Sequence, residues 1–401
     1  MSKIKNFFTL PFFVEKKYPI YIWLFLALGT AFKLFLTFDK TKYNNYLIYK
    51  NVFWNTINQV SLYAENSALF LDSNHYGPLF SILIAPFALL PDGFGMVFWN
   101  IFNAGFLIWA VSKLPIHQSK ITLILWICAH ELLTSLLALQ FNPLMTSIII
   151  LSFVFIHNKK EFWAAFFIVL GTYIKLYGIV GLAFFFFSKN KVKFTGSLVL
   201  WAIILFVLPM LISSPEYIVK SYAEWFDSLV HKNDLNGSLT SMQDISVMGM
   251  FRRILQNPNL SNLPFLVVGL LIFGLPYLRF NLYHNLKFQL LLLSSVLIFT
   301  VIFSTGSESP TYIIAFLGVA IWFVIQEKPV TNFNLFLLIF ALIVTSFSPS
   351  DLMPRYIRNN FIQPYALKAL PCVLIWIKIT YEMLIIKENK AVNFIKNDVD
   401  V

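Results

Sequence analysis

The sequence predicts an all-α, polytopic membrane protein, and three observations carry that prediction. Hydrophobic residues make up 58% of the 401 residues and charged residues only 12%, about half the roughly 25% a soluble domain carries. Mean hydropathy is +0.72. The lysines fall in short runs between apolar segments, at Lys16-Lys17, Lys159-Lys160, Lys189 to Lys193 and Lys387 to Lys396. That spacing is what the positive-inside rule produces, so the net charge of +11 reads as topology and not as a nucleic-acid footprint. Disordered, collagenous and disulfide-stapled classes are excluded, since both cysteines, Cys128 and Cys372, lie in apolar runs.

A helical span needs about 20 mostly apolar residues. Runs of that kind, bounded by charge or by Pro and Gly, are expected over 20–38, 78–91, 95–112, 142–157, 194–212, 263–279, 288–304, 310–326, 332–348 and 366–386. The first is expected to be a retained span, because residues 1–19 lack a clean apolar core followed by a small-residue cleavage site. Two stretches are harder to place. Residues 121–138 contain His130 and Glu131 and are expected to be re-entrant. Residues 162–187 hold Lys175 at their centre, too long for one upright helix and short for two. Two halves of about 20 Å each are tolerated only where protein or a water-filled cavity satisfies the broken backbone. About 11–12 spanning or re-entrant helices result.

The expected organisation is a cytoplasmic N-terminus over 1–19, one membrane domain over 20–386 and a cytoplasmic tail over 387–401. The lysine-bearing loops face inward, which puts 39–77, 213–262, 305–309 and 349–365 outside. The two long outer loops carry aromatics at helical spacing: Tyr46, Tyr49, Phe53 and Trp54 in the first, Tyr217, Tyr222, Trp225 and Phe226 in the second. They read as interfacial amphipathic helices. Outer loops of such length usually cover a site.

No Gly-rich phosphate loop, HExxH, CxxC pair or nucleophile elbow occurs. Histidines and carboxylates show no metal-ligand spacing, so neither a metal nor a cofactor is expected. What remains is a set of polar residues at the outer ends of spans. Asp39 stands where the first span ends, and an apolar setting would raise a carboxylate towards a useful base; a solvated helix-end role is the alternative. Asp72 opens Asp72-Ser73-Asn74-His75-Tyr76-Gly77-Pro78, where it serves as reserve base or as a cap. Gln140 and Asn142 are amides suited to sugar hydroxyls or to helix ends. Lys175 is an intramembrane cation that calls for a partner or a cavity, met by a phosphate or by Glu131. Ser238, Ser241, Ser246, Arg252, Arg253, Glu308, Asp351, Arg355 and Arg358 lie in the later outer loops; the arginines suit phosphate or lipid headgroups.

Tyr63, then Tyr76-Gly77-Pro78-Leu79-Phe80 with Pro86 and Pro91, Trp99 with Asn103-Ala104, Gln140-x-Asn142, and Ile174-Lys175 with Gly178 form an ordered series over roughly residues 20–320 that resembles glycosyltransferase family 87. The resemblance implies the GT-C membrane fold. It also implies transfer of a hexose, mannose in known members, from a polyprenyl-phosphate sugar on the outer face of the cytoplasmic membrane. One departure stands out: family members commonly carry an acidic residue before an aromatic early in the first loop, where this chain has Asn44-Asn45-Tyr46.

The resulting expectation is a membrane hexosyltransferase acting on a lipid or glycan acceptor within the bilayer, without nucleic acid. Asp39 is the base and Asp72 its reserve. Lys175 and Arg355 contact phosphate, and Asn44, His75, Tyr76, Gln140, Asn142, Ser238 and Glu308 are the remaining substrate contacts. The alternatives are a flippase of a lipid-linked sugar, whose fold would call for internal repeats, and a non-catalytic subunit of an envelope-assembly complex, consistent with Asn44-Asn45. The topology is tested by cysteine accessibility: cysteines replacing Asn58 and Asn236 are expected to react with impermeant reagent from outside the cell, and labelling only after permeabilisation would overturn the orientation.

Overall fold

The computed structural model describes residues 10–37, 39–64 and 70–387. It is 76% helical, with no strand among the described residues, as an all-α membrane protein requires. The expected cytoplasmic segments at 1–9 and 388–401 lie outside the described residues. Among the described residues four helices are long and apolar enough to cross a membrane: Lys17–Leu36, Asp92–Ser112, Gln118–Leu137 and Lys191–Leu211. The chain divides into two compact units, one of Trp23–Lys113 and Ser135–Asp234, the other of Met1–Ile22, Leu114–Thr134 and Leu235–Val401.

The helices that build the first unit are α1 (Lys17–Leu36), α2 (Asn44–Asn58), α3 (Phe80–Ala88), α4 (Asp92–Ser112), the end of α5 (Gln118–Leu137), α6 (Asn142–His157), α7 (Glu161–Ile174), α8 (Lys191–Val207) and α9 (Pro215–Asn236). The two long loops expected to face outward thus contain helices α2 and α9, in keeping with their aromatic spacing. The expected span at 78–91 is absent. At about 1.5 Å per residue nine-residue α3 reaches only about 13 Å, and it runs along α2. Tyr49 packs edge-on against Phe80, the Tyr46 hydroxyl donates to Phe87 O at 2.9 Å, and Lys50 pairs with Asp92 at 2.7 Å. Residues 121–138, expected to be re-entrant, fall instead in the continuous 20-residue helix α5.

Residues 162–187 break as their length demands. Helix α7 ends at Ile174, Lys175 is extended (φ −149°, ψ 119°), and Leu176–Phe187 returns as a 3₁₀ helix. Twelve residues is long for 3₁₀ geometry. Its period of three keeps Gly178, Gly181, Phe184 and Phe187 on one buried stripe. A Cβ on Gly178 would lie 2.2 Å from Gly171 C, and one on Gly181 would lie 2.6 Å from Ile168. The two arms therefore touch backbone to backbone, with Lys175 at the tip and Ser188 donating to Glu161 at the base (3.3 Å). Elsewhere in this unit, polar stitches join buried helices: Asn100 donates to Thr30 and to Leu136 O, Trp99 to Leu139 O, and Leu144 N to Asn103. The recognised Trp99 and Asn103 are thereby packing residues.

In the second unit the core is α12 (Leu286–Ile302), α13 (Tyr312–Val324) and α15 (Leu370–Ile385), with α10 (Val247–Ile254), α11 (Leu263–Gly274) and α14 (Asn332–Phe340) around it. Gly318 lets α13 approach the backbone of α12, its would-be Cβ lying 2.7 Å from Ser294 O. The pairing of Glu131 with Lys175 weighed above does not form. Glu131 accepts from Lys368 at 2.9 Å, with side-chain exposures of 0% and 3%, and Tyr312 presents its ring to the same ammonium at 5.0 Å. Arg252 and Arg253 are equally committed: Arg252 binds Asp244 and Asn262, and Arg253 binds the carbonyls of Ser241, Gln243 and Asp244. They fasten the loop ahead of α10 and are not open to phosphate.

Breaking one partner of a buried ion pair costs about 3–5 kcal/mol, because the other charge is stranded. Glu131→Gln or Lys368→Met alone should lower thermal stability by that order in detergent. The double variant should recover most of it. A double variant as unstable as the sum of the singles would show that the two charges do not stabilise each other.

Candidate functional site

The hairpin tip, the Tyr76-Gly77-Pro78 loop and the face of α2 meet in the first unit. A helix that stops inside a protein leaves carbonyls to satisfy. Here Gly77 N–H donates to Ile174 O at 3.0 Å. Only glycine fits, since a Cβ would sit 2.1 Å from Tyr173 O and 2.9 Å from the Trp225 ring. Tyr76 is thereby set over the tip, its buried ring stacked on Phe80 and its hydroxyl 3.0 Å from that of Tyr49. The Tyr49 hydroxyl donates to Gln140 Oε1 at 3.4 Å.

Lys175 projects into this cluster. Its ammonium donates to Asn142 Oδ1 at 2.9 Å and lies 4.7 Å from the Tyr177 ring centroid and 5.8 Å from that of Tyr76. Asn142 is fully buried, and its Nδ2 has no hydrogen-bond partner. That donor and the half-buried ammonium, set beside the Tyr76 and Tyr177 rings, make a lining of donors over aromatic faces. Such a lining suits an anion carried on a hydroxylated group.

Beside it lies a cavity of about 390 Å³ between α9 and residues 61–64 and 73–75, lined by Ser61, Tyr63, Ser73, His75, Glu224 and His231, among others. Lys232 of α9 pairs with both oxygens of Asp72, at 3.1 and 2.9 Å. His75 Nδ1 is 3.0 Å from Ser228 Oγ, which in turn donates to Asn74 O. That use of the serine proton makes Nδ1 the donor, leaving Nε2 as the ring's acceptor, 3.4 Å from Ser73 Oγ and 3.7 Å from Asp72 Oδ1. Burial alone would push the Asp72 carboxyl up. The hydrogen bonds from Lys232 and the Ser73 amide, with the lysine charge, outweigh burial and hold it well below the usual carboxylate range.

Asp39, expected as the base, is a helix cap. Its Oδ1 accepts from the Thr41 hydroxyl at 2.6 Å and from the Thr41 amide at 3.0 Å, and those bonds hold its carboxyl below the ordinary value. A carboxylate so stabilised in its charged form is a weak base. Asn44 is likewise occupied in fastening the loop, its Oδ1 accepting from Leu71 N at 2.7 Å. Of the residues singled out in the sequence, His75, Tyr76, Gln140, Asn142, Lys175 and Asp72 come together in one region of this unit. The other candidates belong to the second unit. Ser238 is exposed and bonds to Thr240, Glu308 N–H donates to Thr311 at a helix start, and Arg355 is exposed at the start of a short turn.

The missed partners are on α9. Glu224, Asp227, Ser228, His231 and Lys232 form one polar stripe at i, i+3, i+4, i+7, i+8, a spacing that places them on one helical face. Among the described residues no group of three or more His, Cys, Asp or Glu is disposed to hold a metal.

Because the folded-state carboxyl of Asp72 is depressed, the stability it contributes is present above its unfolded value, about 3.9, and is lost as pH falls through the lower folded value. Asp72→Asn should therefore lower the melting temperature slightly at pH 7. The gap from wild type should close in the acid range below pH 4. A gap that persists unchanged at acid pH would mean the Lys232 pair contributes nothing.

A family model for glycosyltransferase family 87 matches residues 74–305, a stretch that includes the Tyr76-Gly77-Pro78 loop, Gln140, Asn142 and Lys175. No curated protein matches the chain.

Proposed function

The chain belongs to glycosyltransferase family 87, and from that premise we propose that it transfers a hexose, mannose being first choice, from a polyprenyl-phosphate sugar to a lipid or glycan acceptor at the outer face of the cytoplasmic membrane. The observation that carries this reading is Lys175, held at the tip of a broken helix by the Gly171–Gly178 approach and bonded to Asn142. Its half-buried ammonium lies beside the Tyr76 and Tyr177 rings, a setting in which a cation suits a donor phosphate. The GT-C architecture, in which membrane helices support outer-loop helices, fits α2 and α9.

In the proposed reaction an acceptor hydroxyl attacks the anomeric carbon, and the carbon–oxygen bond to phosphate breaks with its electron pair leaving on the phosphate. Lys175 compensates the charge gathering there. Gln140, Asn142 and Tyr76 orient the sugar. The hydroxyl proton passes to His75 Nε2, and the Asp72 carboxylate, 3.7 Å from that nitrogen, steadies the resulting positive charge by Coulomb attraction. This assignment replaces Asp39, whose lone pairs serve the helix cap.

Transfer of radiolabelled hexose from polyprenyl-phosphate hexose by the purified chain in lipid is the test. His75→Gln should cut turnover by about 10²- to 10⁴-fold at unchanged melting temperature, whereas Asp39→Asn should stay within a few-fold of wild type. The reverse ranking would return the base to Asp39. Movement of intact lipid-linked sugar across vesicles, with no transfer to any acceptor, would favour the flippase.

A further inference from the structure

The second unit contains a cavity of about 550 Å³ where the start of α12, the end of α13, the start of α14 and the end of α15 converge. Four lysines line it, Lys287, Lys328, Lys378 and Lys387, against two glutamates, Glu327 and Glu382. The glutamates do not cancel the excess. Glu327 pairs with Lys287 at 3.1 Å. Glu382 pairs with Lys378 at 3.3 Å, both side chains largely covered, and it also accepts from Trp322 and Gln326. Lys328 and Lys387 are exposed at the rim.

The wall also holds a polar group that the protein leaves unsatisfied. Glu382 is acceptor-only, so it turns the Gln326 amide to donate Nε2, which points Gln326 Oε1 at Asn334. Asn334 must then donate its Nδ2, at 2.9 Å, and its Oδ1 is left buried with no partner, in a residue 5% exposed. The amide orientation is fixed by the network and is not free to flip. An orphaned buried acceptor costs about 1–3 kcal/mol, and a ligand hydroxyl would satisfy it. Cations at the rim and an acceptor in the wall call for a ligand that has both a phosphate and hydroxyls. Basic pockets between membrane helices bind anionic headgroups in this manner.

We propose that this cavity is a binding site for a hydroxylated phosphate, of the chemistry found in a phosphoglycerol headgroup or in free glycerol phosphate. It is separate from the donor site, to which none of its lining residues is assigned. Each rim lysine contributes about fivefold to affinity for a surface anion.

The test uses the full chain in detergent, with bound lipid counted by native mass spectrometry and soluble ligand read by thermal shift. Wild type should retain phosphatidylglycerol over phosphatidylcholine. Lys328→Gln combined with Lys387→Gln, both exposed and safe for folding, should lower that retention by about 25-fold at unchanged melting temperature. Stabilisation by glycerol 3-phosphate that displaces phosphatidylglycerol would support the site with a soluble ligand as its source. Lipid retention without any glycerol 3-phosphate effect would support it with the headgroup as its source. Equal retention of phosphatidylcholine, or a double variant that binds phosphatidylglycerol like wild type, would overturn the proposal.

Discussion

Backbone contact between Gly171 and Gly178 is the constraint on which the site depends. Two helical arms can touch so closely only if neither carries a Cβ at the crossing, and substitution of Gly178 would drive a carbon to within 2.2 Å of two backbone atoms. That contact forces the chain to turn at Lys175 instead of continuing through the membrane as one helix. The turn exposes the Ile174 carbonyl, which recruits Gly77, and the Gly77 loop in turn sets Tyr76 and His75. One packing event thus fixes the cation, its aromatic lining and the neighbouring imidazole.

The 3₁₀ return arm follows from the same constraint. A stripe that repeats every three residues stays straight only at three residues per turn, and Gly178, Gly181, Phe184 and Phe187 are such a stripe. Lys175 is one step earlier on it. The small residues face the α6–α7 layer, where Gly181 meets Ile168 and Ser152, and the larger ones follow where the arms have room, with Phe184 against Phe153. Taper along the stripe matches taper in the space available.

Much of this was legible in the residues. Composition is enough for an all-α membrane chain, and the length of 162–187 with a central lysine is enough for a broken pair of short helices. Glu131 is an alternative partner for Lys175 in the sequence because sequence carries no distance; the residue that takes it, Lys368, is 237 positions away in the chain. Residues 78–91 are apolar enough to span but are used to cover α2, since hydropathy reports burial without saying whether lipid or protein does the burying. Residues 121–138 erred in the opposite sense, as His130 and Glu131 suggested interruption, yet partners at Ser346, Ser350 and Lys368 let the helix run on. Asp39 reads as a base from its place at the end of the first apolar run, but a carboxylate's use is set by what donates to it, and Thr41, two residues on, donates twice.

The central claim is that Lys175 binds the phosphate of a lipid-linked sugar, and the most direct measurement is stabilisation of the purified chain by polyprenyl phosphate alone. Wild type should melt at a higher temperature as polyprenyl phosphate is added, and Lys175→Met should fold, melt near the unliganded wild type and gain little or nothing from it. Equal stabilisation of both proteins by the lipid phosphate would contradict the account.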